Sequence, residues 1–157
     1  MRYGSPSRPG VARGYPLTLI SFMAFDLRAM IVDDDDHVRT FLIVLLRKIV
    51  SGNILEARNG EEAIATYRQQ RPDLILLDVN MPVMDGLETL ARLREINPDV
   101  VVIMITSLAM RKVVEDAVRA GAANFIRKDT PRPQVVEIIK ETIVASFPQF
   151  HATEAEA

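Results

Sequence analysis

From Leu27 onward the chain alternates short apolar runs with segments in which apolar residues recur every three or four positions. The runs 27–32, 53–58, 73–77, 100–105 and 123–127 read as strands. Those at 73–77 (Asp-Leu-Ile-Leu-Leu) and 100–105 (Val-Val-Val-Ile-Met-Ile) are apolar almost throughout, as strands covered on both faces must be. Between them Val38, Phe41, Leu42, Leu45 and Ile49 keep helical spacing, as do Ala63, Ile64 and Tyr67 in a segment opened by Asn59 and Gly60. A third helix is predicted from about Gly86 to Ile96, stopped ahead of Pro98. A fourth pairs Val113 with Ala117 and Val114 with Val118 and halts at Gly121. The fifth starts near Pro131, carries Val136, Ile139, Ile143 and Phe147 as its apolar stripe, and ends at Pro148. Strands and helices in alternation predict an α/β domain, a parallel sheet with helices on both faces.

Five such units fill residues 27–147 of a 157-residue chain, enough for one good core and too little for two ordinary domains. Residues 1–26 lie outside the pattern. Their first 16 residues hold three Gly and three Pro, which predicts a disordered extension, or an over-extended start with Met23 as the true first residue. The short apolar stretch Leu17–Ile20, broken by Pro16 and Ser21, is a poor secretory signal, and no apolar run reaches the roughly 18 residues that cross a bilayer. Residues 148–157 form a short polar tail, too small for an output domain, so a stand-alone module is expected.

Charge narrows the function classes. The formal net charge is −2, to which Arg2, Arg8 and Arg13 contribute +3 with no acid in the first 25 residues, leaving the remainder at −5. An acidic body is a poor nucleic-acid footprint. Cysteine is absent, which excludes disulfides, thiolate metal sites and cysteine nucleophiles and is compatible with a reducing cytoplasm.

Open parallel sheets carry their chemistry at the C-terminal ends of the strands. There the sequence places Asp33, Asp34, Asp35 and Asp36 after the first strand, Asp78 after the third, Thr106 and Ser107 after the fourth, and Lys128 after the fifth. Four adjacent carboxylates repel one another and are relieved by solvent and helix capping, with Asp36 the expected cap, or by a bound cation. Taken singly, Lys128 reads equally as a surface lysine and Thr106 as a strand-end residue satisfying local backbone. Together, Asp33, Asp34 and Asp78 make a three-carboxylate pocket suited to a hard divalent ion such as Mg²⁺. A carboxylate can attack phosphorus to give an aspartyl phosphate when the charges on both partners are offset, and Lys128 and the Thr106 hydroxyl are placed to meet the phosphoryl oxygens. His37 and His151 read as exposed residues, and Met81 and Met84 as loop packing.

Val32-Asp33-Asp34, the run Leu77-Asp78-Val79-Asn80-Met81-Pro82-Val83-Met84-Asp85-Gly86, Ile105-Thr106-Ser107 and Gly121 to Lys128 resemble, in order and spacing over 27–147, the response-regulator receiver domain of two-component signalling, chemotaxis regulators included. The resemblance implies a flavodoxin-like sheet of order 2-1-3-4-5. It implies Asp78 as phospho-acceptor, Mg²⁺ held by Asp34 directly, by Asp33 mainly through water, by Asp78 and by the Asn80 backbone carbonyl, Lys128 as phosphate partner and Thr106 as switch hydroxyl. The aromatic switch position holds Phe125, which can swing but has no phenolic hydroxyl to hydrogen-bond. Asp129 follows Lys128 where many relatives have a cis-proline, and Leu108 supplies no polar group to orient a hydrolytic water, favouring a longer-lived phosphate.

The implied partners are a sensor histidine kinase or histidine phosphotransfer protein, with small phosphodonors as a substitute, and a downstream protein target, in the cytoplasm. No nucleic acid and no membrane are expected, and the state is a monomer or a phosphorylation-dependent homodimer. Such a domain assists its own modification without being an enzyme. The alternatives are a receiver-like scaffold that is not phosphorylated and a Mg²⁺-dependent phosphohydrolase, which would need a second acid that Asp78-Val79-Asn80 does not supply.

Overall fold

The computed structural model describes residues 24–107 and 110–151. The readings made on the N-terminal extension before residue 24, on Leu108 and on the tail after residue 151 lie outside the described residues. Five parallel strands, β1 (Ala29–Val32), β2 (Ile54–Ala57), β3 (Leu74–Asp78), β4 (Val101–Thr106) and β5 (Asn124–Arg127), stand in the order β2-β1-β3-β4-β5. Five helices connect and follow them: α1 (Asp36–Leu46), α2 (Gly60–Gln70), α3 (Gly86–Ile96), α4 (Arg111–Arg119) and α5 (Arg132–Ser146). Strand and helix limits fall within a few residues of the predicted ones.

The period of two along each strand sorts the core into two layers. Ile31, Leu74, Leu76, Ile103, Ile105 and Ile126 point to the face covered by α1 and α5. Met30, Val32, Ile75, Leu77, Val102 and Met104 point to the face covered by α2, α3 and α4. Because β1 and β3 are central and covered on both sides, every residue of each is buried, and the strand ends that carry the acids are held in a rigid frame. Phe25, bridged to Val50, meets Phe150 edge-on at 4.9 Å, and Phe150 meets Phe147 at 6.5 Å, closing the first layer where the first and last of the described residues approach.

Two expectations are corrected. The cap of α1 is Asp35, whose carboxylate accepts the backbone N–H groups of His37 at 2.8 Å and Val38 at 3.3 Å; Asp36 is already helical and pairs with Arg39 instead. The buried stripe of α5 is Val135, Ile139, Thr142 and Ile143, with Val136 only partly covered. Thr142 tolerates burial because its hydroxyl donates to the Ile138 carbonyl at 2.7 Å and accepts from Asn124 Nδ2 at 3.0 Å.

Candidate functional site

Three loops and one strand end converge at the C-terminal edge of the sheet. The Asp33 N–H donates to the Ala57 carbonyl at 3.1 Å, continuing the β1–β2 ladder past Val32 and turning the Asp33 side chain inward, where it is 1 % exposed. Asp78 closes β3 in register with Ile105 and is 3 % exposed. The Lys128 N–H donates to the Thr106 carbonyl at 2.9 Å, so the lysine leaves β5 beside the end of β4. The loop after β3 returns tightly over the site: the Gly86 N–H donates to the Val79 carbonyl at 2.8 Å, and a Cβ on Gly86 would run into the Asp78 carbonyl oxygen and come 2.7 Å from Val79 Cα. That close approach is why glycine stands at the start of α3. Asp85 caps the helix by accepting from Glu88 N–H at 2.8 Å.

Within this frame one ligand atom from each of Asp33, Asp34 and Asp78 lies within 4.8 Å of the others. The Lys128 ammonium stands 2.7 Å from Asp33 Oδ2 and 3.2 Å from Asp78 Oδ2. The Asp33 contact is an ion pair without hydrogen-bond alignment, so Asp33 Oδ2 is sealed from solvent with a charge beside it but no aligned donor. Asp33 Oδ1 accepts from Asp35 N–H at 2.9 Å, while Asp34 is exposed and has no hydrogen bond or ion pair among the described residues. Three carboxylates facing one ammonium leave two negative charges uncompensated, which matches a divalent cation. An incompletely satisfied buried oxygen, an uncommitted carboxylate and an all-oxygen donor set fit Mg²⁺ rather than a soft metal.

Electrostatics follow from this crowding. Burial pushes the Asp78 carboxyl above the usual aspartate range and the Asp33 charge adds to it, against the opposing pull of Lys128 and the Asn80 N–H. For Lys128, burial acts to lower the pKa but is outweighed by the Asp33 contact and the Asp78 charge, so the ammonium is held above its ordinary value. Asp35 is drawn down by the Val38 and His37 N–H groups it caps.

The remaining predicted residues are distributed around this pocket. The Asn80 N–H donates to Asp78 Oδ1 at 3.3 Å from an exposed position. Thr106 is fully buried at the end of β4, and Phe125 is partly buried against the second core layer, opposite Met104. Met81 and Met84 are buried in the loop, and His37 and His151 are exposed. Asp129 holds Arg127 through two bonds, at 3.0 and 2.8 Å, bracketing Lys128. Sequence reasoning missed Arg39, a buried guanidinium bonded to the Asp33 carbonyl; its only sequence signal was its spacing three residues after Asp36.

Comparison with known proteins agrees with this geometry. Residues 29–140 match the family model of the response regulator receiver domain. The chain is 34% identical over 116 residues to the chemotaxis protein CheY of Bacillus subtilis, covering 74% of this chain and 97% of that protein, and 36% identical over 115 residues to CheY of Listeria monocytogenes, covering 73% and 97%. Among solved structures, a CheX–CheY complex with BeF3 and Mg from Borrelia burgdorferi superposes with a TM-score of 0.70 at 30% identity, covering 78% of this chain and 90% of that one.

Proposed function

The chain belongs to the response-regulator receiver family, and on that premise we propose that Asp78 is its phosphoryl acceptor, within a receiver domain spanning 27–147. It is a response regulator similar to CheY, and its acidic pocket fits a phosphoryl acceptor and a Mg²⁺ site. A carboxylate oxygen of Asp78 attacks phosphorus, the bond to the donor breaks, and the donor leaves with the electron pair. Asp34, Asp78 and the Asn80 carbonyl, with Asp33 mainly through water, would hold Mg²⁺, which would offset the negative charge of the incoming phosphoryl group. Lys128, already at the Asp78 carboxylate, turns its ammonium to the phosphoryl oxygens, and the Thr106 hydroxyl donates to them. Phe125 then moves inward, and the surface of α4, β5 and α5 changes its affinity for a downstream protein. The donor is a sensor histidine kinase or a histidine phosphotransfer protein, the setting is the cytoplasm, and no helix of the described residues is long and apolar enough to cross a membrane.

The observation that carries this reading is the Asp78 carboxylate, 3 % exposed, gathered with Asp33 and Asp34 and set 3.2 Å from the Lys128 ammonium. The test is intact mass after incubation with acetyl phosphate, with and without Mg²⁺. Wild type gains one phosphoryl group only when Mg²⁺ is present, and Asp78→Asn gains none; a gain in the variant would assign the acceptor elsewhere.

A further inference from the structure

Arg39 lies on α1, is 5 % exposed, and spreads its guanidinium over three acceptors. Nη1 donates to the Asp33 carbonyl at 2.7 Å, Nε to Glu56 Oε1 on β2 at 3.2 Å, and Nη2 to Asp36 Oδ1. Burial opposes its charge, but Asp36 and Glu56 more than compensate and hold it protonated. A bridge from helix to sheet alone does not require this; an apolar side chain of similar length would fill the space without desolvating an ion.

What the guanidinium adds lies in the turn. The carbonyl it grips belongs to the peptide joining Asp33 to Asp34. That peptide is planar, so holding its oxygen while the Asp33 N–H is tied to the Ala57 carbonyl restricts the ψ of Asp33, and with it the exit of the Asp33 side chain, and fixes where the Asp34 Cα is set. The turn is held at further points by the Asp35 N–H on Asp33 Oδ1 and by Asp36 on Arg39. Arg39 also places positive charge among the acids while leaving the Asp33 and Asp34 carboxylates untouched, so it eases repulsion in the loop without consuming the oxygens that face the pocket. We infer that Arg39 is a positioning residue for the acidic pocket: it presets the Asp33–Asp34 peptide so that both carboxylates meet a divalent cation in a ready-made geometry. This deepens the proposed function and rests on it.

The test is calorimetric titration of Mg²⁺ into the full chain as wild type, Arg39→Met, Arg39→Lys and Ile139→Val, each checked for folding by circular dichroism. Ile139→Val loosens the core at a residue that is not among the groups holding the turn and serves as the control for lost stability. Arg39→Met should bind Mg²⁺ about tenfold more weakly, the scale typical of groups that orient metal ligands. Its Asp78 phosphorylation should recover at saturating Mg²⁺. Arg39→Lys, whose ammonium cannot span three acceptors, should fall in between, and Ile139→Val should keep the wild-type affinity. Wild-type affinity in folded Arg39→Met, or an equal loss in Ile139→Val, overturns the inference. If Arg39→Met does not fold, wild-type affinity in Arg39→Lys overturns it instead. Failure of wild type itself to bind Mg²⁺ would instead strike the proposed function beneath it.

Discussion

Helices α3 and α4 are similar in length, eleven and nine residues, yet they are held in opposite ways. The first begins with a side-chain cap from Asp85, starts on a glycine pressed against the Asp78 backbone, and buries Thr89, Leu90 and Leu93. The second begins at exposed Met110 with no side-chain cap and buries only Ala117, and its surface pairs, Arg111 with Glu115 and Lys112 with Asp116, are solvent-exposed and weak. The contrast extends to their neighbours: α1 and α2 are capped by Asp35 and Asn59, whereas α5, like α4, has no side-chain cap. The half of the molecule that gathers the acids is fixed, whereas α4, which follows β4, is lightly tethered. A site that must hold charges at set distances needs the first, and an element that must shift in response needs the second.

The most severe way to break this contrast is Gly86→Ala. With no room for a Cβ against the Asp78 carbonyl, it should cost about 3 kcal/mol in urea denaturation, the upper range for overpacking. On α4, Val118→Ala, at a side chain 65% exposed, should change stability by less than about 0.5 kcal/mol. Comparable losses at the two sites would erase the distinction.

The fixed half should also carry electrostatic strain that its ligand relieves. Asp78 is raised above 3.8 in the folded protein, so its ionised form opposes folding at neutral pH. Asp78→Asn should therefore be more stable than wild type at pH 7 without Mg²⁺, as read by urea denaturation. As pH falls through the folded-state value towards 3.8, native wild type takes up the proton before the unfolded chain does, and the gap should close. Lys128 behaves oppositely at the alkaline end: its contribution is present below 10.5 and is lost as pH rises through its raised folded value. Mg²⁺ at ten times its dissociation constant should add about 1.4 kcal/mol to wild type and narrow the gap. A variant that stays less stable at every pH would refute the strain.

The smallest effect sharpens the comparison at the caps. Asp85→Ala should cost about 1 kcal/mol, whereas Met110→Asp, giving α4 the cap it lacks, should gain up to about 1 kcal/mol. Chemical denaturation of the two variants checks both signs.

Much of this division was legible in the residues. The start of α3 is written by Asp85-Gly86 and its end by Asn97-Pro98, and β4 by the apolar run 100–105. Asp33, Asp34, Asp78, Thr106 and Lys128 could be placed at one edge because strands in a parallel sheet all end on the same side. What escaped depends on choices among identical or adjacent side chains. Four aspartates in a row give no sign of which one caps, and only the inward turn of Asp33 makes it Asp35. Val135 and Val136 both border the stripe of α5, and a shift of one position rotates a helix by about 100°. Thr142 is invisible to an apolar count because its burial depends on a partner on β5. The reach of Arg39 to three acceptors, and the closer approach of Lys128 to Asp33 than to Asp78, are set by side-chain conformation and not by spacing.

The most direct test of a fixed chemical half joined to a lightly held α4 is hydrogen exchange by mass spectrometry. The protein is kept phosphorylated with excess acetyl phosphate and Mg²⁺, and compared with Asp78→Asn under the same conditions. Peptides covering α4, β5 and the start of α5 should exchange faster than those of α3 in the variant and change their protection on phosphorylation, while α1, α2 and α3 stay unchanged. Equal changes throughout, or changes confined to α1–α3, would contradict the account.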